Sequence, residues 1–128
     1  PRSEGLRDRV GDPSYAGQVA DIMAGSWRGK ARGEISSSGY VVHSIEAAIW
    51  CVARTGSFAE AVLLAANLAD DADTVAAITG QLAGALYGYQ AIPQPRMGEL
   101  SQQGLIFGMA RQLVDITKAG EASPTVPE

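Results

Sequence analysis

The chain has little of several things, and each shortage closes off a class of answers. It has one cysteine, Cys51, in 128 residues. No internal disulfide can form, and a thiol used this sparingly suits a reducing, cytoplasmic setting. It has a single histidine, His43, so a multi-histidine metal centre is excluded. Basic residues number 10 against 14 acidic ones, a net charge of −4. That balance gives no electrostatic footprint for nucleic acid. No apolar run approaches the roughly 20 residues needed to span a membrane, and no signal segment is visible. Aromatic residues make up only 6%, yet hydrophobic residues reach 46% with 19% charged. Such a chain is globular and one domain in length, able to bury a core.

What is present reads as helices. Residues 1–12 are polar and Gly-containing, a lead-in. Pro13-Ser14 opens a helix that places Val19, Ile22 and Met23 on one side. Gly25 to Gly39 holds four glycines and a serine triplet and reads as a loop. Val41, Ile45, Ala48, Ile49 and Val52 then recur at helical spacing and predict a buried stripe, with His43, Glu46, Trp50 and Arg54 opposite. Gly56 closes that helix. Ser57 and Glu60 form a capping box for the next, which runs to Asn67 or Leu68. A further helix follows from Val75 to about Tyr89, with Gly80, Gly84 and Gly88 on one narrow face where another backbone is expected to approach. Pro93 and Pro95 interrupt the chain. Ser101 caps a last helix carrying Leu105, Met109, Leu113 and Ile116 on one face. No strand pattern or repeat emerges. The fold class is all-α, a single helical domain over residues 1–119 with a disordered tail over 120–128.

Chemistry concentrates at Asp70-Asp71-Ala72-Asp73-Thr74, where a polar run meets an uncharged helix. One reading is structural: Asp and Thr cap helices, and carboxylates suit the positive helix end. Three carboxylates exceed what a cap needs, and they repel one another. The other reading is a hard cation, Mg²⁺ or Mn²⁺, which takes oxygen ligands. Asp71 and Asp73 cannot complete its shell alone. A calcium loop of EF-hand type fails, because counting from Asp71 puts Val75, Ala76 and Leu82 where an oxygen ligand, a glycine and a glutamate are required. The Asp-x-Asp spacing with Val75 also matches aspartate-nucleophile phosphatases, but that motif follows a buried strand and here it follows a helical segment.

The stretch Asn67-Leu68-Ala69-Asp70-Asp71-Ala72-Asp73-Thr74-Val75, then Gly80-Gln81-Leu82-Ala83-Gly84 and Ile92-Pro93, resembles the ADP-ribosylglycohydrolase family. Ser38-Gly39-Tyr40-Val41-Val42-His43 and Glu46-Ala47-Ala48-Ile49-Trp50 match it as well, so the resemblance spans roughly residues 27 to 113. It implies an all-helical fold. It also implies Mg²⁺-dependent hydrolysis of the N- or O-glycosidic bond between ADP-ribose and a modified group. Asp71 and Asp73 would be the catalytic carboxylates, and Asp71, Asp73 and Thr74 ligands of a two-ion Mg²⁺ (or Mn²⁺) site. Gly39 and Tyr40 would contact substrate, an ADP-ribosylated protein or an ADP-ribose-containing small molecule. Ala69 departs from the family's glycine before the acidic cluster, and Met97 lies where a tryptophan often follows Ile-Pro. The family's N-terminal Gly-Asp segment, its Thr-Asp-Asp motif and its Gly-Asn-Gly segment have no counterpart in these residues. Together with an opening Pro1, this suggests the C-terminal portion of a longer enzyme, weak in metal binding and turnover by itself. Self-association, or a complementary chain, is expected at the glycine face or the Val41–Ile45 stripe. The alternative is a non-catalytic helical remnant, or a subunit that completes a partner.

The remaining residues read structurally. His43 either reaches a substrate or faces solvent and is read as non-catalytic. Trp27 and Trp50 are read as packing rather than as stacking platforms for adenine, and Cys51 as a small buried hydrophobe. Glu46 makes a surface pair along its helix. Arg28, Lys30 and Arg32 form a small basic cluster that reads as a solvated loop, the alternative being contact with phosphate.

Overall fold

A computed structural model describes residues 13–121, with side chains from Ala16 onward. Every regular element among the described residues is helical: α1 (Pro13–Ala24), α2 (Val41–Ala53), α3 (Phe58–Ala66), α4 (Ala72–Tyr87), α5 (Gln94–Gly98) and α6 (Gln103–Glu121), with 3-10 turns at Arg32–Glu34 and Tyr89–Ala91. The fold is all-α. No helix among the described residues is long and apolar enough to cross a membrane.

The chain divides into two compact units, one ending at Ile92 and the other beginning at Pro93. In the first, α4 packs on α3 and α2, and α2 also meets α3 and α1. Small residues make these contacts. Ala47, Ala48, Cys51, Ala61, Ala65, Val75 and Ala83 are completely buried. Short side chains let helix axes approach closely and lose little side-chain entropy when buried. Thr79, the largest polar side chain in this interior, donates its hydroxyl to the Val75 carbonyl at 2.7 Å. Its burial therefore leaves no orphaned donor.

The buried face of α2 is rotated from the expected one. Val42, Ser44, Ala47, Ala48, Trp50 and Cys51 are buried. Val41 is exposed, and Ile45, Ile49 and Val52 are only half-buried. Trp50, placed by the spacing on the outer side, is 4% exposed and donates its indole N–H to the Lys30 carbonyl at 2.9 Å. On α1 only Ile22 of the expected trio is buried, while Val19 and Met23 are exposed. Glu46 pairs not along its helix but across to the preceding loop, accepting from Lys30 Nζ at 2.7 Å and Ser26 Oγ at 3.0 Å.

The cap of α3 forms as read, with one shift. Ser57 Oγ accepts from the Glu60 N–H at 3.2 Å, and Glu60 reaches back to the Gly56 N–H, one residue before the cap. The α4 glycines do not share a close contact. Among the described residues nothing lies within 4 Å of a Cβ built on Gly80, and Gly84 has only the Phe58 ring, at 4.0 Å. Gly88 ends the helix at φ +85°, where its lack of a Cβ matters. Gly80→Ala should therefore stabilise the chain, by about 0.5–1 kcal/mol from helix propensity alone. A urea midpoint that falls instead would show that the gap at Gly80 is occupied.

Cys51 is buried with no access to solvent. Burial pushes its thiol up to about 11, against a smaller downward pull from Arg32. The folded chain thus holds this proton where the unfolded chain has lost it. Cys51 contributes stability that is fully present below the unfolded thiol's range and is lost as pH rises toward 11. At pH 8 the native thiol should react with Ellman's reagent at least about 100-fold more slowly than the urea-unfolded one, since only the exposed thiolate attacks.

The second unit contains α5, begun by Pro93 and Pro95, and α6. α6 starts at Gln103 behind Gln102, whose backbone is left-handed at φ +55°, rather than at a Ser101 cap. Leu105, Met109, Leu113 and Ile116 lie exposed on it. The helix continues to Glu121, and the rest of the expected tail lies outside the described residues, as do residues 1–12.

Candidate functional site

The link between α3 and α4 is where the acidic cluster sits. Asn67 closes α3, its side-chain amide donating to the Leu63 carbonyl at 2.7 Å. Leu68 turns into the core, and Asp70 takes a left-handed backbone, φ +61°. The strained position is Asp70 and not Ala69, so the alanine that replaces a family glycine carries no penalty of that kind. Aspartate is among the few non-glycine residues that enter this region readily.

The left-handed step aims the chain into α4, with Asp71 as the residue before its first turn. Asp71 does not spend its side chain on the helix: no cap hydrogen bond runs from it to the backbone. Its Oδ1 accepts instead from the Thr74 hydroxyl at 2.8 Å. Asp73 lies beside it. A side-chain hydrogen bond shared with Asp71, then the N–H groups of Thr74 and of Asp73 itself, hold the Asp73 carboxyl below the ordinary carboxylate range. The two carboxyl groups and the hydroxyl therefore converge. Asp73 and Thr74 are exposed and Asp71 is half-buried. Asp73 Oδ1 accepts from the Thr74 N–H at 3.0 Å and so serves the first turn of α4, whereas the Asp71 side chain makes no such backbone bond.

The loop before α2 completes the surroundings. The Asp71 N–H donates to the Ser37 carbonyl at 2.9 Å, and the Ser37 hydroxyl donates to the Ala69 carbonyl. These bonds bring Gly39 onto the acidic cluster. A Cβ added at Gly39 would stand 3.4 Å from Asp71 Oδ2. Any longer side chain would cover that carboxylate, so glycine keeps it open. Tyr40 precedes the first turn of α2. Its hydroxyl donates to Gln18 Oε1 at 2.9 Å, and its ring meets His43 edge to face, centroids 5.1 Å apart. His43 Nδ1 lies 2.8 Å from Ser38 Oγ.

Gly39, Asp71, Asp73 and Thr74 are thus brought together, and Tyr40 adjoins them in sequence. Ser37 was missed as a positioning residue. The only sequence signal for it was the serine triplet, which reads as loop. The donor set is all oxygen, two carboxylates and a hydroxyl, which fits a small hard cation in chemistry. It falls short in number: among the described residues no group of three or more acidic, His or Cys side chains is arranged to hold a metal ion.

Comparison with known proteins decides the ancestry. The ADP-ribosylglycohydrolase family model matches residues 3–122. The chain belongs to the ADP-ribosylglycohydrolase family. An ADP-ribosylarginine hydrolase, Tri1, of Serratia proteamaculans (strain 568) is 58% identical over 96 residues, which is 75% of this chain and 26% of that protein. Another Tri1, of Pseudomonas putida (strain GB-1), is 50% identical over 94 residues, 73% of this chain and 25% of that protein. The chain spans about a quarter of the length of these relatives. The family match extends beyond residues 27 to 113, where the motifs were read, to take in α1 and the whole of α6.

Proposed function

We propose that this chain carries one part of the active site of a Mg²⁺-dependent ADP-ribosylglycohydrolase acting on ADP-ribosylated arginine. The observation that carries the reading is the convergence of Asp71, Asp73 and Thr74 oxygens at the open start of α4, with Gly39 against them. The arginine linkage comes from the names of the two relatives.

The reaction breaks the bond between ribose C1″ and a guanidine nitrogen. Water supplies the oxygen to C1″ and a proton to the departing guanidine, leaving ADP-ribose and arginine. Asp71, Asp73 and Thr74 would hold Mg²⁺ or Mn²⁺, two ions in a complete site, the remaining ligands coming from outside this set. Bound there, the metal supplies Lewis-acid orientation of ribose hydroxyls and water. The chain's own residues do the rest of what is in view. The Thr74 hydroxyl fixes the Asp71 carboxylate in one rotamer, Ser37 holds the loop and helix start in register, and Gly39 leaves room for the sugar. Tyr40 presents its ring at the N-terminus of α2, steadied by Gln18 and His43.

The exposed apolar residues of α6 support association with a complementary chain or a second copy, since patches of this kind on a soluble chain mark interaction surfaces. Two measurements test the reading. Thermal unfolding with added Mg²⁺ should show a concentration-dependent rise in Tm. Release of ADP-ribose from an ADP-ribosylarginine protein should be weak for the 128-residue chain. A Tm indifferent to Mg²⁺ and Mn²⁺ favours the non-catalytic alternative, and robust turnover by the chain alone removes the need for further ligands. Hydrolysis of a generic phosphomonoester would revive the phosphatase reading.

A further inference from the structure

The far end of α2 carries a second concavity. A cavity of about 270 Å³ is lined by Trp27, Arg28, Gly29, Trp50, Ala53 and Arg54. α2 rises about 1.5 Å per residue, so Arg54 lies roughly 20 Å along the helix from Tyr40 and the acidic cluster. The lining holds two guanidinium groups and no carboxylate, in a chain whose net charge is −4. Each guanidinium lies over an indole: Arg28 at 5.2 Å from the Trp27 ring centroid and Arg54 at 5.0 Å from that of Trp50. Stacking of this kind fixes the planar fork and lowers the entropy lost when it grips a ligand.

Part of this arrangement has a structural duty. Arg54 Nη1 and the Trp50 indole N–H both donate to the Lys30 carbonyl, at 2.8 and 2.9 Å, and so tie the loop to the helix. Arg28 has no such duty. Its guanidinium makes no hydrogen bond or ion pair among the described residues, unlike Lys30 with Glu46 and Arg32 with the Asn67 carbonyl. The loop is shaped to place it. Gly25 is left-handed at φ +94°, and a Cβ there would come within 3.0 Å of Arg28 Cδ and Nε.

We propose that this cavity receives a carboxylate side chain from an acidic segment of a partner protein. The two forks match a carboxylate in shape and charge. The indole walls suit the methylene stem that carries it, and Trp and Arg are the residues that dominate protein interfaces. The volume has room for such a side chain. A polyanion is disfavoured by the overall negative charge, which a single carboxylate feels far less. The inference rests on neither the metal nor the hydrolase reading.

Trp27 and Trp50 are the only tryptophans of the chain and both line this cavity, so its tryptophan emission is the readout. The full chain is titrated with the blocked peptide acetyl-Glu-Leu-Glu-amide, with inorganic phosphate, and with a dodecamer of thymidylate, all at matched ionic strength. The peptide should give a saturable change in emission. Arg28→Ala should weaken it about tenfold, the size of one lost charge-assisted hydrogen bond, with the helical circular dichroism unchanged. Arg96→Ala, in the other unit, should leave it as it was. The absence of a saturable change overturns the proposal. So does equal peptide affinity in Arg28→Ala, or tighter binding of phosphate or of the oligonucleotide than of the peptide.

Discussion

Asp71→Ala and Asp73→Ala should each erase the Mg²⁺-dependent rise in Tm expected of this chain while leaving the metal-free chain folded. The two carboxyl groups sit together at the start of α4, Asp73 exposed and Asp71 half-buried. Removing Asp71 takes away one of two like charges and breaks no bond to the helix backbone, and Asp73→Ala also gives up the bond from the exposed Thr74 N–H, which water can replace. The apo protein should therefore melt within about 2 °C of the parent, as surface changes away from packing usually do. With metal the outcome differs. A ligand that binds only the folded state at ten times its dissociation constant raises Tm by about 5 °C in a chain of this size. Both variants should lose that rise entirely. Thr74→Val should keep part of it, since the hydroxyl is both a candidate ligand and the donor that orients Asp71. A full Mg²⁺ response in Asp71→Ala would place the cation elsewhere.

How much of this was legible in the sequence depends on which kind of contact carried the information. The helices were legible because their signals are local: the Ser57–Glu60 cap, the prolines at 93 and 95, the apolar spacing of α2. The face that α2 buries was not. The eye follows Val41, Ile45, Ile49 and Val52 because they are large, whereas the packed interface is built from Ser44, Ala47, Ala48 and Cys51. In helices that approach closely, small residues mark the seam and large aliphatics flank it. Ile49 and Val52 instead line a shallow cavity with Leu82 and Leu86. Ser44 can be part of that interior because the Ser38 and Tyr40 carbonyls accept from its hydroxyl.

The candidate site divides the same way. Asp71, Asp73 and Thr74 lie within one helical turn, so their convergence follows from spacing. The approach of Gly39 does not. It depends on the Asp71–Ser37 and Ser37–Ala69 bonds across more than thirty residues, and only the likeness to a known family pointed to it. The glycines of α4 misled for a third reason. Four-residue spacing is shared by contact faces and by coincidence, and here Gly88 serves as a helix end, Gly84 lies against a ring, and Gly80 meets nothing among the described residues.

Trp50→Ala should be the most damaging single substitution in the first unit. Trp50 is the largest side chain in the core cluster, packed with Ile35, Ala47, Cys51, Leu68 and Val75 at 4% exposure. Its partners are mostly alanine-sized or held in helices, so they cannot collapse to fill the space. The loss should fall in the range of about 3–5 kcal/mol that truncating a buried aromatic usually brings. Against a total stability of about 5–15 kcal/mol, that leaves little or none of the chain folded at 37 °C. Trp50→Phe separates packing from hydrogen bonding. It keeps most of the ring volume and removes the N–H, yet the Lys30 carbonyl retains the Arg54 guanidinium at 2.8 Å. No buried acceptor is orphaned, so Phe should cost about 1 kcal/mol. The consequence reaches the acidic cluster through the loop: Lys30 begins the segment that ends in Ser37 and Gly39, which the core holds through Ile35. In Trp50→Phe the Mg²⁺ response should survive. Urea unfolding that finds Trp50→Ala within 1 kcal/mol of the parent would mean that the loop, and with it Gly39, is not anchored to α2 in the way described.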